Sequence, residues 1–246
     1  MFWNFAKELA ARNPHDIYPL ARMYRNEMVF LYLEPMKAGL LMLRNRFGTV
    51  KPKDFNWNNY YEKFEKDSAE QYKKYFEPSL SQFDLSVVLD FACGTGRIAQ
   101  YFLRKDNKLI LCDISKSAID SCRHRFRDSK NVDFMINNDT VIPLEKETIT
   151  FCYSWDAMVH FETGDLAIYF KEFKRILKPG GRGMVHHSNY GADGKRWTEH
   201  PRWRAGVSVR DVQKICDELE LVIDSQKIIN WGVPNLDCIT TFSKKA

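Results

Sequence analysis

Two stretches of the 246-residue chain hold residue types that can do chemistry. In the first, Val87 to Gln100, an apolar run reaches Asp90 and passes into a small-residue turn, Ala92-Cys93-Gly94-Thr95-Gly96. Glycines there let the backbone approach a ligand closely, and a helix opening behind them offers unpaired N–H groups. Such a turn cradles a nucleotide-type ligand. Its Gly94-x-Gly96-x-x-Ala99 spacing satisfies the dinucleotide pattern, so a nicotinamide cofactor is one reading. The second stretch runs from Met184 to Arg204 and contains adjacent histidines, His186 and His187, then Trp197, Arg202, Trp203 and Arg204. A histidine near its ordinary pKa suits a general base at neutral pH. Neighbours on a strand point to opposite faces, so only one of the pair faces a site. His187, nearer the following loop, is the favoured base and His186 the alternative. Asp156 would orient such a histidine or cap the helix that follows it. From Arg182 to Arg204, five cations stand against Asp193 and Glu199. Guanidinium groups suit phosphate or carboxylate and indoles suit flat or sugar faces, unless the cations are merely solvated and the Trp pin the loop.

The elements that must position these residues change character near Ser86. Before it, apolar residues at Ile17, Leu20, Ala21, Tyr24, Met28, Leu31 and Tyr32 recur at helical steps. The aromatic-rich stretch Trp57 to Glu77 also reads as a helix, ended by Pro78, with Tyr60 or Tyr61 expected to close over a ligand bound at the turn unless these rings serve core and interface packing. After it come short apolar runs predicted as strands: Val87–Asp90, Leu109–Cys112, Asp133–Ile136, Ile149–Ser154, Arg182–His186, Leu221–Ile229 and Cys238–Phe242. The segments between them predict helices at Gly96–Arg104, Ser117–Arg127, Thr163–Leu177 and Val209–Glu218, with a short piece at Asp156–Phe161. Strands alternating with helices imply a parallel sheet covered on both faces. The last two strands are too close for a helical crossover and predict an antiparallel hairpin. The fold class is therefore α/β: a Rossmann-like, seven-stranded, mostly parallel sheet with an antiparallel last strand, plus an N-terminal helical extension. Residues 1–81 form the extension and 82–246 the binding domain.

Composition narrows the partners. The formal charge of +5 is dispersed without a run of five or six like charges, so a basic tail for nucleic acid or membrane is not expected. No C-x-x-C pair or other close metal-ligand spacing occurs among the six cysteines, which read as reduced core thiols in a cytoplasmic protein; no compact motif requires a metal, although Asp156, Asp139 and a histidine could converge on one. No uncharged apolar stretch of about 18 residues predicts a membrane span. Oligomeric state is not encoded in any feature found.

Asp90-Phe-Ala-Cys-Gly-Thr-Gly96 resembles the first motif of the class I S-adenosylmethionine (SAM)-dependent methyltransferases, an acid followed by x-Gly-x-Gly-x-Gly, with Ala92 in place of the first glycine. Phe173-Lys-Arg-Ile-Leu-Lys-Pro-Gly-Gly181 resembles the phrase before the fifth strand of that family, and Tyr153-Ser-Trp-Asp-Ala-Met-Val-His160 its fourth-strand motif. The resemblance implies SAM as cofactor. Asp90 and the turn Ala92, Cys93, Gly94 and Gly96 would hold its amino-acid end, with Ser154 lining the transfer site. Asp113, 113 − 90 = 23 residues after Asp90, and the adjoining Ile114 would take the ribose, a feature nicotinamide proteins share. Asn138 and Asp139 would read the adenine, and His160 would be structural.

A sulfonium methyl is already a good electrophile, so the protein has mainly to hold a nucleophile in line with it. A neutral amine needs little more, whereas an alcohol needs a base. With histidines beside the fifth strand, the expected reaction is O-methylation of a small molecule or glycan precursor, anionic or phosphorylated, contacted by Trp197, Arg202, Trp203 and Arg204. The rivals are N-methylation of an amine or heterocycle, a nicotinamide-dependent oxidoreductase, and a non-catalytic protein on the SAM fold.

Overall fold

In a computed structural model, residues 65–137, 140–193 and 204–246 are described. The chain divides into two units at Phe64/Glu65, and the second contains the sheet of the described residues. Its strands are β1 (Val87–Phe91), β2 (Lys108–Asp113), β3 (Val132–Ile136), β4 (Ile149–Ser154), β5 (Leu177–Ser188), β6 (Leu221–Ile229) and β7 (Asp237–Lys244). Their order is β3-β2-β1-β4-β5-β7-β6, with β7 antiparallel to both neighbours and the other pairings parallel. Strand order reverses between β1 and β4. A crevice opens at the carboxyl ends of strands at such a reversal, which is where open α/β sheets bind ligands.

Both faces of the sheet are covered, as the alternation of elements predicted. Helices α3 (Thr163–Ile176) and α4 (Val209–Glu218) pack on one face through Leu166, Phe170, Phe173 and Ile176 and through Val212, Ile215 and Cys216. Each set recurs at three- or four-residue steps, so one stripe is buried. A capping box of Ser208 and Asp211 starts α4. The opposite face is covered by α2 (Lys116–Arg125), capped by the Ser115 hydroxyl, and by a leading helical run that begins with α1 (Ser68–Gln71). That run continues as a π-helical turn, Tyr72–Phe76, which drives the fully buried Phe76 ring in among Phe102, Tyr153 and Trp155.

Three elements differ from expectation. Pro78 does not end the leading run; it sits at the start of a 3-10 turn, Glu77–Gln82, where its missing N–H costs nothing. The helix expected at Gly96–Arg104 is reduced to a single 3-10 turn, Ala99–Tyr101. Gly96 is left-handed, with φ 76°, and Asn107 closes the segment by donating to the Phe102 carbonyl and accepting from the Arg104 N–H. Finally, β5 starts at Leu177 instead of Arg182. Register passes from Ile149↔Leu177 to Phe151↔Arg182, so Lys178-Pro-Gly-Gly181 is an irregularity within the strand, with Gly180 at φ 75°.

Candidate functional site

The crevice between β1 and β4 has two halves. In the first, β1 delivers Asp90 and the chain then turns through three left-handed residues, Ala92 (φ 58°), Gly94 (φ 54°) and Gly96 (φ 76°). Only glycine tolerates that region freely, and a Cβ on Gly96 would lie 2.8 Å from the Phe126 ring. The turn is tied to the end of β2, since Gly94 N–H donates to Asp113 Oδ2 at 2.8 Å and Ser115 N–H to Oδ1 at 2.8 Å. Burial raises the Asp113 pKa despite the opposing backbone N–H groups of Ser115, Gly94 and Ile114. Asp90 is pushed up to about 8, first by burial; the hydrogen bond it accepts from Tyr153 Oη at 2.8 Å opposes the shift. Below neutrality this carboxyl is therefore protonated. Across the crevice, Ser154 ends β4, and its Oγ is the one buried side-chain polar atom without a hydrogen-bond partner among the described residues.

The second half is a network of buried charges. Asp237, at the start of β7 and wholly buried, receives Arg204 Nε at 3.0 Å and Nη2 at 2.8 Å, and His186 Nε2 at 3.0 Å. Burial pushes the Asp237 pKa up, but the His186 hydrogen bond and the Arg204 charge prevail and hold it below the ordinary range. Arg204 also lies 3.6 Å from Asp156 Oδ1, whose other oxygen is 3.3 Å from Arg97 Nη2. Asp156 is left-handed, with φ 57°, an uncommon conformation for a residue with a Cβ. Gln71 Oε1 completes the assembly, accepting from Arg97 Nη1 at 2.7 Å and from the Trp155 indole N–H at 2.9 Å. Rings wall the network: Trp155 and Trp231 lie 4.5 and 4.9 Å from the His186 ring, and Tyr75 lies against both indoles.

Asp90, Ala92, Cys93, Gly94, Gly96, Asp113, Ile114 and Ser154 thus gather at the carboxyl ends of β1, β2 and β4. Cys93 is buried with its Sγ 4.0 Å from Cys122 Sγ, and it serves as packing beneath the turn. Tyr60, Asn138, Asp139, Trp197, Arg202 and Trp203 lie outside the described residues. Of the two histidines, His186 lies on the crevice side and His187, the expected base, does not. His187 points to the face carrying α3 and α4, fully buried, with Nδ1 donating to the Ser188 carbonyl and Nε2 accepting from Thr240 Oγ1, both at 2.8 Å. Burial lowers its pKa to about 4. Arg204 is likewise not an open contact for an anion, because Asp237 occupies its fork. Sequence reasoning gave no role to Gln71, Arg97, Tyr153, Trp231 and Asp237; Arg97 and Tyr153 stand inside the motifs already read, whereas Gln71, Trp231 and Asp237 come from distant parts of the chain. All six cysteines are free and buried. Among the described residues, no three His, Cys, Asp or Glu side chains gather to hold a metal, and no helix is long and apolar enough to cross a membrane.

A family model described as a methyltransferase domain matches residues 88–181. The chain is 28% identical over 102 residues to the tRNA (carboxymethyluridine(34)-5-O)-methyltransferase ALKBH8 of Mus musculus, covering 41% of this chain and 14% of that protein. It is 30% identical over 95 residues to malonyl-(acyl-carrier protein) O-methyltransferase of Yersinia pestis, covering 39% of this chain and 34% of that protein. The match thus spans about a third or less of these relatives' length. Among solved structures, geranyl diphosphate C-methyltransferase from Streptomyces coelicolor A3(2), with Mg2+, geranyl-S-thiolodiphosphate and S-adenosyl-L-homocysteine, superposes with a TM-score of 0.56 at 16% identity. That alignment covers 65% of this chain and 69% of that one and shows a shared fold. Residues 88–181 thus match a methyltransferase domain, and they lie on a sheet of order β3-β2-β1-β4-β5-β7-β6 with the glycine turn at its switch point.

Proposed function

We propose that the chain transfers the methyl group of SAM to a hydroxyl of a small-molecule or glycan-precursor acceptor. The observation that carries the cofactor half is the left-handed turn from Ala92 to Gly96, bonded to the Asp113 carboxylate and facing the unpartnered Ser154 hydroxyl. These residues fit the cofactor. Asp113 has lone pairs left for a ribose diol, the turn lets an amino-acid group approach the backbone, and Ser154 has hydrogen-bonding capacity to spend. When bound, SAM supplies an electrophilic methyl on a sulfonium. The protein's part is to orient the nucleophile and exclude water, for which Trp155, Trp231 and Tyr75 form an apolar wall.

Asp156 is the group we assign to the acceptor. Its side chain and that of Arg97 are each 13% exposed, whereas Arg204 and Asp237 are sealed at 4% and 0%, so Asp156 is the carboxylate at the open end of the network. It can accept a hydrogen bond from an acceptor hydroxyl and draw on its proton as transfer proceeds. Both curated relatives described above are named as O-methyltransferases, which supports oxygen as the target. N-methylation is the second reading. It is favoured by the engagement of both ring nitrogens in each histidine, since a neutral amine needs no base. Six buried thiols support a reducing, cytoplasmic location.

Calorimetric titration with SAM, S-adenosylhomocysteine (SAH) and NADH tests the cofactor. SAM and SAH are expected to bind and NADH not; selective NADH binding would overturn the assignment, and binding of none would leave a non-catalytic protein. SAH release in a panel of phosphorylated sugars, hydroxy acids and amines tests the acceptor. Transfer RNA belongs in that panel, because one relative is named as acting on it.

A further inference from the structure

β5 sends its two adjacent histidines to opposite faces, and the partners they meet there are opposite in kind. The His186 ring is fully buried between the indoles of Trp155 and Trp231. Its Nδ1 lies 3.3 Å from the backbone nitrogen of Asp156, and its Nε2 lies 3.0 Å from Asp237 Oδ2. A backbone N–H can only donate, so Nδ1 must keep its lone pair for it. The proton then sits on Nε2 and is donated to Asp237, whose carboxylate Arg204 holds ionised from the other side. Placing a proton on Nδ1 would set two donors against each other. For His187 the assignment is inverted: Nδ1 meets a carbonyl, which can only accept, and Nε2 takes the Thr240 hydroxyl. Two consecutive histidines therefore carry their protons on different nitrogens.

The contact to Asp156 has a second consequence. The left-handed region is uncommon for a residue with a Cβ, though less so for Asp than for most, and it is kept where the surroundings fix it. Asp156, at φ 57°, is fixed at its N–H by His186 and at its carboxylate by Arg97 and Arg204. The charged groups around the ring are Asp237 from β7, Arg204 from the segment before α4, and Asp156 after β4 with Arg97 behind it.

We propose that His186 is a positioning residue and not the proton acceptor: its ring, locked in the Nε2–H tautomer by Asp237, holds Asp156 in the left-handed conformation that presents its carboxylate at the crevice. The roles of the two residues rest on the methyltransferase reading; the tautomers and the backbone contact do not.

The test uses the full chain labelled with 15N-histidine and long-range 1H–15N correlation spectra, assigned with H186N and H187N. His186 is expected as the Nε2–H tautomer and His187 as the Nδ1–H tautomer. Amide hydrogen exchange of Asp156 is the second readout. It should stay slow in H186N, whose side-chain oxygen replaces Nδ1 as the acceptor, and accelerate at least tenfold in H186L. Should H186L fail to fold, the wild-type spectrum and H186N still decide. An Nδ1–H tautomer at His186, or an Asp156 amide unprotected in the wild type, or one released as much by Asn as by Leu, would overturn the proposal. SAH titration of the same sample separates the two ideas: absence of SAH binding would sink the enzymatic reading and leave the histidine result standing.

Discussion

The two halves of the crevice solve the same problem, fixing polar groups inside a protein, by different means. On the cofactor side the carboxylate of Asp113 is held by backbone N–H groups of its own loop and of the glycine turn, and Ser154 is left unpartnered. On the acceptor side Arg97, Asp156, Arg204, Asp237 and His186 satisfy one another. The first half stands ready for a ligand, with bonding capacity unspent. The second is largely satisfied within itself, with Asp156 and Arg97 at its open end, which suits positioning. It also means that stability and function should separate: damage to the network unfolds the protein, whereas damage to the turn empties it.

The sharpest break of that contrast is Arg204→Met. It leaves Asp237, wholly buried, without its guanidinium partner. Removing one partner of a buried pair typically costs about 3–5 kcal/mol, because the remaining charge keeps its desolvation penalty. Urea unfolding should show a loss of that size. The matching change on the cofactor side, Asp113→Asn, should cost far less stability and abolish SAH binding. A loss under about 1 kcal/mol in Arg204→Met would mean that water reaches Asp237 and that the network is no rigid frame.

Asp90 and His187 sharpen the contrast through pH. The folded Asp90 keeps its proton to about 8, against 3.8 for the free group. Between those values the folded state binds more protons than the unfolded one, so stability falls as pH rises through the window, by roughly 3 kcal/mol or more. Asp90→Asn removes this term. The variant should be more stable than the parent at pH 8.5, with the advantage vanishing below pH 4, while losing affinity for SAH. His187 works in the other direction. Its folded pKa of about 4 lies below the ordinary 6.5, so the unfolded state takes up the proton first and stability falls as pH drops from 6.5 towards 4. In Asp90→Asn that acid-side loss should stand alone; a flat profile there would show that the His187 ring is reached by water.

Much of this fold is legible in the sequence. The bounds read for β4, β6 and α4 are those found; β4 is one continuous apolar run, and α4 starts at a capping box. The helix expected after the turn is not there, since Arg97 to Arg104 has helical composition while Gly96 and Asn107, at its two ends, decide otherwise. The grouping of Asp90, Ala92, Gly94, Gly96, Asp113 and Ser154 is legible because they lie in short motifs directly at strand ends. The acceptor half is not. Arg97 meets Asp156 across 59 positions, and His186 meets Asp237 across 51, so no local pattern announces either pair. Nearness to the loop does not tell His187 from His186, because their partners come from β7 and from the segment after β4.

Ala92 offers the finest test of how closely this turn follows the glycine pattern it resembles. At φ 58° its Cβ carries left-handed strain of about 1–2 kcal/mol. Ala92→Gly removes the strain but adds unfolded-state freedom of about 0.5–1 kcal/mol, and it gives up the packing of one methyl against the core cluster. The balance is a gain of about 0.5 kcal/mol at most, measurable as a small rise in melting temperature. Since the backbone already holds the conformation that glycine would take, SAH affinity should change by less than about twofold. A loss of more than about 1 kcal/mol would show that the methyl packs better than the strain costs, and that alanine stands here for the core beneath the turn and not merely as a tolerated substitute for glycine.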